Sequence, residues 1–332
     1  MAATLNSDQI QHFNDEGYLV VENVLNAEDI QAIQDEYAVA LDDIATEMYA
    51  KGQISSTYSD LPFGERYTRL LFENTKIFDR LDISLPLDNV GIPPDAKAHT
   101  GPAVFNLLTN PRLLDVVESI IGPEIYSSPV QHVRIKPPRK AVHRDIVGNS
   151  YISNTTWHQD QGALLDEAND TQVLTVWVAI TDATIENGCL VCIPGSHKRN
   201  ELTLHCPGKG IAAENYIPSP LLETRKATPL PVGRGGIVLF HQYTEHAAYP
   251  NKSDAIRWSF DLRYIPTGQP TGRPAFPGFV ARSAKHPETV LTDPEVWAQL
   301  WRDARNRLVG GEYTEPIFNE RWTGNEKLPV CA

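Results

Sequence analysis

Gly235-Gly236-Ile237-Val238-Leu239-Phe240-His241 runs through Gln242-Tyr243-Thr244-Glu245 into His246, and after Pro250-Asn251-Lys252-Ser253 the chain resumes as Ile256-Arg257-Trp258-Ser259-Phe260-Asp261. The apolar, β-branched opening predicts a strand, the polar stretch a turn, and the last run a return strand. Side chains alternate along a strand, so Arg257, Ser259 and Asp261 share one face while Ile256, Trp258, Phe260 and Leu262 share the other. A polar interior thus opposes an apolar exterior. Runs of the same texture, separated by Pro, Gly, Asn and Asp, occupy 130–136, 150–157, 172–181, 189–193, 236–241 and 255–265. That spacing predicts a β sandwich or barrel.

Helical patterns lie on either side. Asn6 and Gln9 form a capping box before Ile10 and Phe13, with a stop at Gly17. Residues 18–25 read as a strand. Asn26 then caps a helix whose apolar positions Ile30, Ile33, Tyr37, Leu41, Ile44 and Met48 step by three or four up to Gly52. Residues 53–100 show no clean period, Pro111 opens a helix that ends at Gly122, and Pro294 opens a last one that stops at Gly310. The expected organisation is a single domain over 1–332: a helical part at about 1–123, a β core at about 124–265 and a helical extension at about 266–332. The stretches 137–149 and 201–231 are long for plain connectors and predict binding loops at the mouth of a pocket.

At 332 residues and 37.0 kDa the chain buries a substantial core, and 41 % hydrophobic with 21 % charged residues is an ordinary globular mixture. Its net charge of −13 argues against phosphate backbones and anionic lipid as partners. With four cysteines in so long a chain, no basic and apolar leader, and no apolar run near membrane-spanning length, the expectation is a cytoplasmic protein in a reducing compartment. Cys189 and Cys192 have redox-pair spacing but sit in an apolar run, where they read as small buried hydrophobes.

Trp157-His158-Gln159-Asp160 ends one strand-like run, and alternation puts His158 and Asp160 on one side, about 7 Å apart along the backbone. One more histidine would complete the two-histidine, one-carboxylate set that holds Fe(II) with positions open for substrate chemistry. His246 and His241, which flank the same turn, compete for that third place. A second copy of the pattern, His143-Arg144-Asp145, reads as a solvated loop, and His197 in Pro194-Gly195-Ser196-His197 as part of a structural turn. A buried Arg257 near an iron site suits the distal carboxylate of a dicarboxylate cosubstrate, because guanidinium is permanently charged and donates in pairs.

Four blocks then resemble the phytanoyl-CoA dioxygenase family of Fe(II)/2-oxoglutarate-dependent oxygenases over about 5–265. They are Leu5-Asn6-Ser7-Asp8-Gln9 with Phe13 and Gly17-Tyr18-Leu19-Val20-Val21; Trp157-His158-Gln159-Asp160-Gln161; Glu186 through His197-Lys198; and His246 with Asn251, Ser253 and Arg257. The resemblance implies a mainly β fold with flanking helices, built on a double-stranded β-helix of the jelly-roll, cupin-like kind. It implies iron held by His158, Asp160 and His246, with 2-oxoglutarate chelating the metal and reaching Arg257, and O2 as second cosubstrate. Trp177 and Lys136 match positions that approach the cosubstrate, and Ser259 shares the face of Arg257.

The implied activity is oxidation, most simply hydroxylation, of an unactivated C–H bond with release of succinate and CO2. A small, mostly apolar metabolite is the expected substrate, as in natural-product biosynthesis. An acyl-CoA 2-hydroxylase is the alternative, if Arg134, Lys136, Arg139, Lys140 and Arg144 form a local basic patch. A metabolite-binding barrel without catalysis is the reading from another class, and a homo-oligomer is left open.

Overall fold

The computed structural model describes residues 4–86, 92–141, 155–208, 215–311 and 321–331. The chain opens with α1 (Ser7–Glu16), where the Asn6 carboxamide accepts from Gln9 N and the Gln9 side chain accepts from Asn6 N, as the capping box predicts. Gly17 closes the helix at φ 77° and leads into β1 (Tyr18–Val21). A Cβ on Gly17 would stand 2.3 Å from His197 Nδ1 and 2.6 Å from Thr244 Oγ1, so glycine is needed both for the left-handed turn and for the close approach. Next come α2 (Ala27–Ala50), α3 (Phe63–Glu73), α4 (Lys76–Leu81), α5 (Pro102–Leu108) and α6 (Pro111–Ile121).

The strands follow as β2 (Ile125–Ser127), β3 (His132–Lys136), β4 (Leu174–Ala179), β5 (Leu190–Cys192), β6 (Thr228–Leu230), β7 (Ile237–His241), β8 (His246–Ala248), β9 (Arg257–Pro266) and β10 (Phe279–Arg282), and α7 (Pro294–Val309) comes last. All pairings are antiparallel. The large sheet runs β1-β7-β4-β9-β2-β10, with β3 continuing the β2 side of β9, and a small sheet runs β6-β5-β8. These are the two stacked sheets of the expected double-stranded β-helix.

Alternation sorts the large sheet's two faces. Val133, Ile135, Val176, Val178, Trp258, Phe260 and Leu262 pack outward into one cluster with the helices, where Tyr37 of α2 meets Trp258 edge-on at 5.1 Å and Phe63 of α3 stacks on it at 4.9 Å. Removing an indole buried this completely costs on the order of 3–5 kcal/mol. The opposite face carries Arg257, Ser259, Asp261 and Arg263 on β9, and Thr175 and Trp177 on β4, which lie across from Arg263 and Asp261. The small sheet covers this face through an apolar cluster of Trp177, Cys189, Leu190, Cys192 and Phe240. Polar side chains are thereby enclosed between two sheets.

Three expectations need correction. Residues 53–100, which show no clean period, contain α3 and α4, because the apolar positions of α3 are interrupted by Arg66, itself buried and paired with Asp42. The part beyond 265 is not helical alone, since β10 pairs with β2 at the sheet edge. Cys206 and Cys331, expected to be reduced thiols, are joined by a disulfide, whereas Cys189 and Cys192 are free and buried as expected. The run 150–157 lies mostly outside the described residues, as do His143, Arg144 and Asp145.

Candidate metal and cosubstrate site

His158 and His246 meet through backbone pairing. His158 N donates to His246 O at 2.9 Å and His246 N to His158 O at 3.0 Å, a reciprocal antiparallel bridge that sends both side chains to one face. Their ring centroids are 4.2 Å apart. Each Nδ1 lies against a backbone carbonyl two residues back, Thr156 O at 2.8 Å for His158 and Thr244 O at 3.0 Å for His246. Carbonyls only accept, so each Nδ1 carries a proton and Nε2 is the ring nitrogen that faces the cluster. Burial, with His158 adding to it, pushes His246 down to about 4, which keeps that imidazole neutral near pH 7.

Asp160 completes the cluster from a short turn, Asp160–Ala163, that follows extended Gln159. Its Oδ1 is 3.6 Å from His158 Nε2 and its Oδ2 3.8 Å from His246 Nε2. The three ligand atoms lie within 4.8 Å of one another. Arg263 Nη2 donates to Oδ1 and Thr175 Oγ1 to Oδ2, each at 2.5 Å. Burial opposes ionisation, but Arg263, His246 and His158 outweigh it and hold the carboxyl well below the usual range. Two imidazoles and one carboxylate, their far sides anchored, are the donor set that fits Fe(II).

Beside the cluster, Arg257 is 1 % exposed. Its Nη1 donates to Ser259 Oγ at 2.5 Å, its guanidinium lies 5.2 Å from the Trp177 ring centroid, and its buried Nε has no partner among the described residues. Burial pushes it down to about 10, which leaves it charged at neutral pH. Arg134 Nε, across from Ser259 in register, is paired with Asp261 at 3.0 Å. Lys136 Nζ donates to Thr155 Oγ1 at 3.3 Å opposite Arg257. A narrow cleft of about 30 Å³ reaches His158, His246 and Arg257, with Leu190, Phe240 and Trp177 as the apolar part of its lining.

His158, Asp160, His246, Arg257, Trp177, Ser259 and Lys136 therefore come to one place, with Ser259 engaged by Arg257. His241 does not join them: it caps β7 with its ring 5.1 Å from His197 and its Nδ1 accepting from Tyr243 N. His197 holds Asn14 O at 3.0 Å, the turn-building role expected of it. Arg134 and Lys136 are buried rather than part of a surface patch, and Lys140 is paired with Asp254. Sequence reasoning missed Arg263 and Thr175. Alternation through Arg257, Ser259 and Asp261 points to Arg263 two residues on, whereas Thr175 has no local signal. It also missed the two glutamines of the motif. Gln159 ties Glu201 O, Tyr243 O and Thr203 N together, and Gln161 donates to Ala168 O.

The family model described as phytanoyl-CoA dioxygenase matches residues 13–259. Phytanoyl-CoA dioxygenase domain-containing protein 1 of Bos taurus is 26 % identical over 285 residues, covering 79 % of this chain and 91 % of its own. Among solved structures, the apo form of the non-heme monooxygenase ThoJ is 21 % identical with a TM-score of 0.53, covering 92 % of this chain and 100 % of its own. EvdO2 from Micromonospora carbonacea var. aurantiaca, complexed with 2-oxoglutarate, is 19 % identical with a TM-score of 0.51, covering 80 % and 93 %. Both structures share the fold described above.

Proposed function

Since the chain belongs to the phytanoyl-CoA dioxygenase family of Fe(II)- and 2-oxoglutarate-dependent oxygenases, we propose that it hydroxylates an unactivated C–H bond of a small, mostly apolar metabolite. His158, Asp160 and His246 would hold the iron, Arg257 the distal carboxylate of 2-oxoglutarate, and residues 1–332 would work as one domain. The observation that carries this reading is Arg257: a buried guanidinium with an unpartnered Nε, beside three metal-competent side chains. Iron and 2-oxoglutarate, when bound, supply O2 activation, with loss of CO2 and succinate as the coproduct.

The chain's own residues do the rest. The backbone carbonyls behind His158 and His246 favour the Nδ1–H tautomer, which would leave Nε2 to ligate a metal, and Arg263 with Thr175 fixes the Asp160 carboxylate in place. Ser259 and Trp177 set the angle of the Arg257 guanidinium, so a dicarboxylate meets a preformed donor pair. Leu190, Phe240 and Trp177 form the apolar part of an otherwise polar cleft and would help to keep water from the reacting bond. Arg134, expected to contribute to a CoA-binding patch, is committed to Asp261 inside the barrel, and this favours the small-metabolite reading over the acyl-CoA one.

The test is anaerobic reconstitution with Fe(II), then O2-dependent conversion of 2-oxoglutarate to succinate, with a metabolite panel screened by mass spectrometry for addition of one oxygen atom. Succinate should form in wild type and be lost in His158→Ala. Absence of both turnover and metal-dependent 2-oxoglutarate binding in wild type would refute the assignment and leave a metabolite-binding barrel.

A further inference from the structure

The segment Arg321–Cys331 comes back from beyond α7 to the turn that carries Asp160. Trp322 Nε1 donates to Gly162 O at 2.9 Å, and its indole lies against the His205 ring with centroids 4.7 Å apart. His205 Nε2 in turn accepts from Gln159 N at 3.1 Å while its Nδ1 donates to Thr203 O at 2.7 Å. Asn325 Nδ2 donates to His205 O at 2.8 Å, and the next residue, Cys206, is bonded to Cys331. A Cβ on Gly162 would stand 3.0 Å from the His205 ring, so turn and histidine are in tight contact. Asp160 is thus flanked on both sides, at Gln159 and Gly162, by groups that this segment holds.

We propose that Arg321–Cys331 is a positioning brace for the metal-ligand turn, tethered by the Cys206–Cys331 disulfide, with His205 and Trp322 as its positioning residues. The proposal rests on reading His158, Asp160 and His246 as metal ligands. The tether forms when each thiol gives up one proton and one electron, the two electrons reducing a small-molecule disulfide to two thiols. Opening it with a dithiol reverses the balance. Both sulfurs are buried, so the bond closes over a packed interface and not over solvent. Braced, Asp160 is held before metal arrives; with the tether cut, the segment keeps its hydrogen bonds, the Arg321–Asp166 ion pair and the Trp322 stack but loses its covalent anchor, and more of the ordering of the turn falls on the metal.

The experiment uses the full chain, with Co(II) as a spectroscopic stand-in for Fe(II). After equilibration with oxidised glutathione, alkylation under denaturing conditions should find two thiols, and four after prior reduction. Co(II) affinity from visible absorption, and kcat and KM for 2-oxoglutarate, are then compared in wild type, Cys331→Ser, Trp322→Phe and Leu114→Ala, the last a residue of α6 in the main apolar cluster, to which Gln159, Asp160, Gln161 and Gly162 do not belong. Cys331→Ser and Trp322→Phe should each weaken Co(II) binding about tenfold, the low end of what groups behind metal ligands are worth. Reduced wild type should match Cys331→Ser. Leu114→Ala should lower the melting temperature and leave Co(II) affinity alone. Four thiols in the oxidised sample, or Co(II) affinity in both brace variants within twofold of wild type, would overturn the brace while leaving the ligand assignment standing. Wild type that binds no Co(II) would instead take down the ligand assignment and the brace with it.

Discussion

Replacing Arg257 by methionine should make the ligand-free protein no less stable while nearly abolishing its response to 2-oxoglutarate. Arg257 is buried with one hydrogen bond, to Ser259, and an unpartnered Nε. Leaving a buried donor unmade costs about 1–3 kcal/mol, and a methionine of similar length removes that cost while keeping most of the packing. Binding goes the other way. Taking one member from a buried carboxylate–guanidinium pair costs about 3–5 kcal/mol, or roughly two to four decades in dissociation constant. At a concentration one hundred times the wild-type dissociation constant, the ligand stabilises wild type by about 2.7 kcal/mol. A variant weakened one-hundredfold gains only about 0.4 kcal/mol under the same conditions. For 332 residues the unfolding entropy is about 0.7 kcal/mol per degree, so these become shifts of about 4 °C and about 0.6 °C. The assay is thermal unfolding of the metal-loaded protein, anaerobic, with and without 2-oxoglutarate, alongside direct titration by calorimetry. Equal ligand-induced shifts in wild type and Arg257→Met would refute the assignment of Arg257, whatever the turnover numbers.

Asp160→Asn keeps size but removes the charge that balances Arg263, so metal binding should fall by at least tenfold and the melting temperature should drop; equilibrium dialysis against Fe(II) under anaerobic conditions reads the first directly. Arg263→Met leaves the buried Asp160 without its cation and should cost about 3–5 kcal/mol in denaturant unfolding of the metal-free chain, most of it recovered when metal is added; a loss under 1 kcal/mol would show that the ion pair is not held as drawn. Metal-free stability should also fall with acid. Burial pushes His205 down to about 3 and His241 and His246 down to about 4, so below pH 6.5 the unfolded chain takes up protons that the folded one refuses, and stability present above pH 6.5 is lost as pH falls toward 4. Asp79, pushed up to about 6 by burial and by Asp82, works against this between pH 6 and 4, because there it is the folded chain that holds the extra proton. With three groups against one, melting temperature should still decline between pH 6.5 and 4.5, and a flat profile would contradict the burial of these imidazoles.

The core of the site was legible because it obeys the period of a strand. Arg257, Ser259 and Asp261 announce their common face by spacing alone, and the same rule reaches Arg263, whose role as the partner of Asp160 becomes visible only when β9 is laid beside the turn after His158. His158 and Asp160 were placed together for a reason that holds only in part. Gln159 is extended, but Asp160 already begins a turn, and what aligns the cluster is the His158–His246 bridge together with the anchors on Asp160. Strands of three residues such as β2, β6 and β8 are too short to show a period, and β8 carries His246. The choice of His246 over His241 therefore came from the family resemblance rather than from pattern. Cys206 and Cys331 are 125 residues apart with no spacing signal, so their pairing is a product of the fold.

The distribution of satisfied and unsatisfied groups says where binding free energy is released. Both oxygens of Asp160 are taken by Arg263 and Thr175, and both Nδ1 atoms of the histidine pair are taken by carbonyls. As metal ligands these side chains would be fixed before a metal arrives, so little conformational entropy would remain to be lost when it binds. On the same face Arg134 is matched by Asp261 and Arg263 by Asp160, whereas Arg257 has an alcohol and an aromatic face in place of an acid. An acid in that position would stabilise the empty barrel and compete with any carboxylate ligand. Ser259 and Trp177 hold the guanidinium in place without neutralising it, the nearby Asp261 offsets part of its burial cost, and an entering carboxylate would offset more. On the proposed function the site would trade stability of the empty protein for cosubstrate affinity at one residue, and that residue lies on the same face of β9 as Arg263, the arginine paired with Asp160.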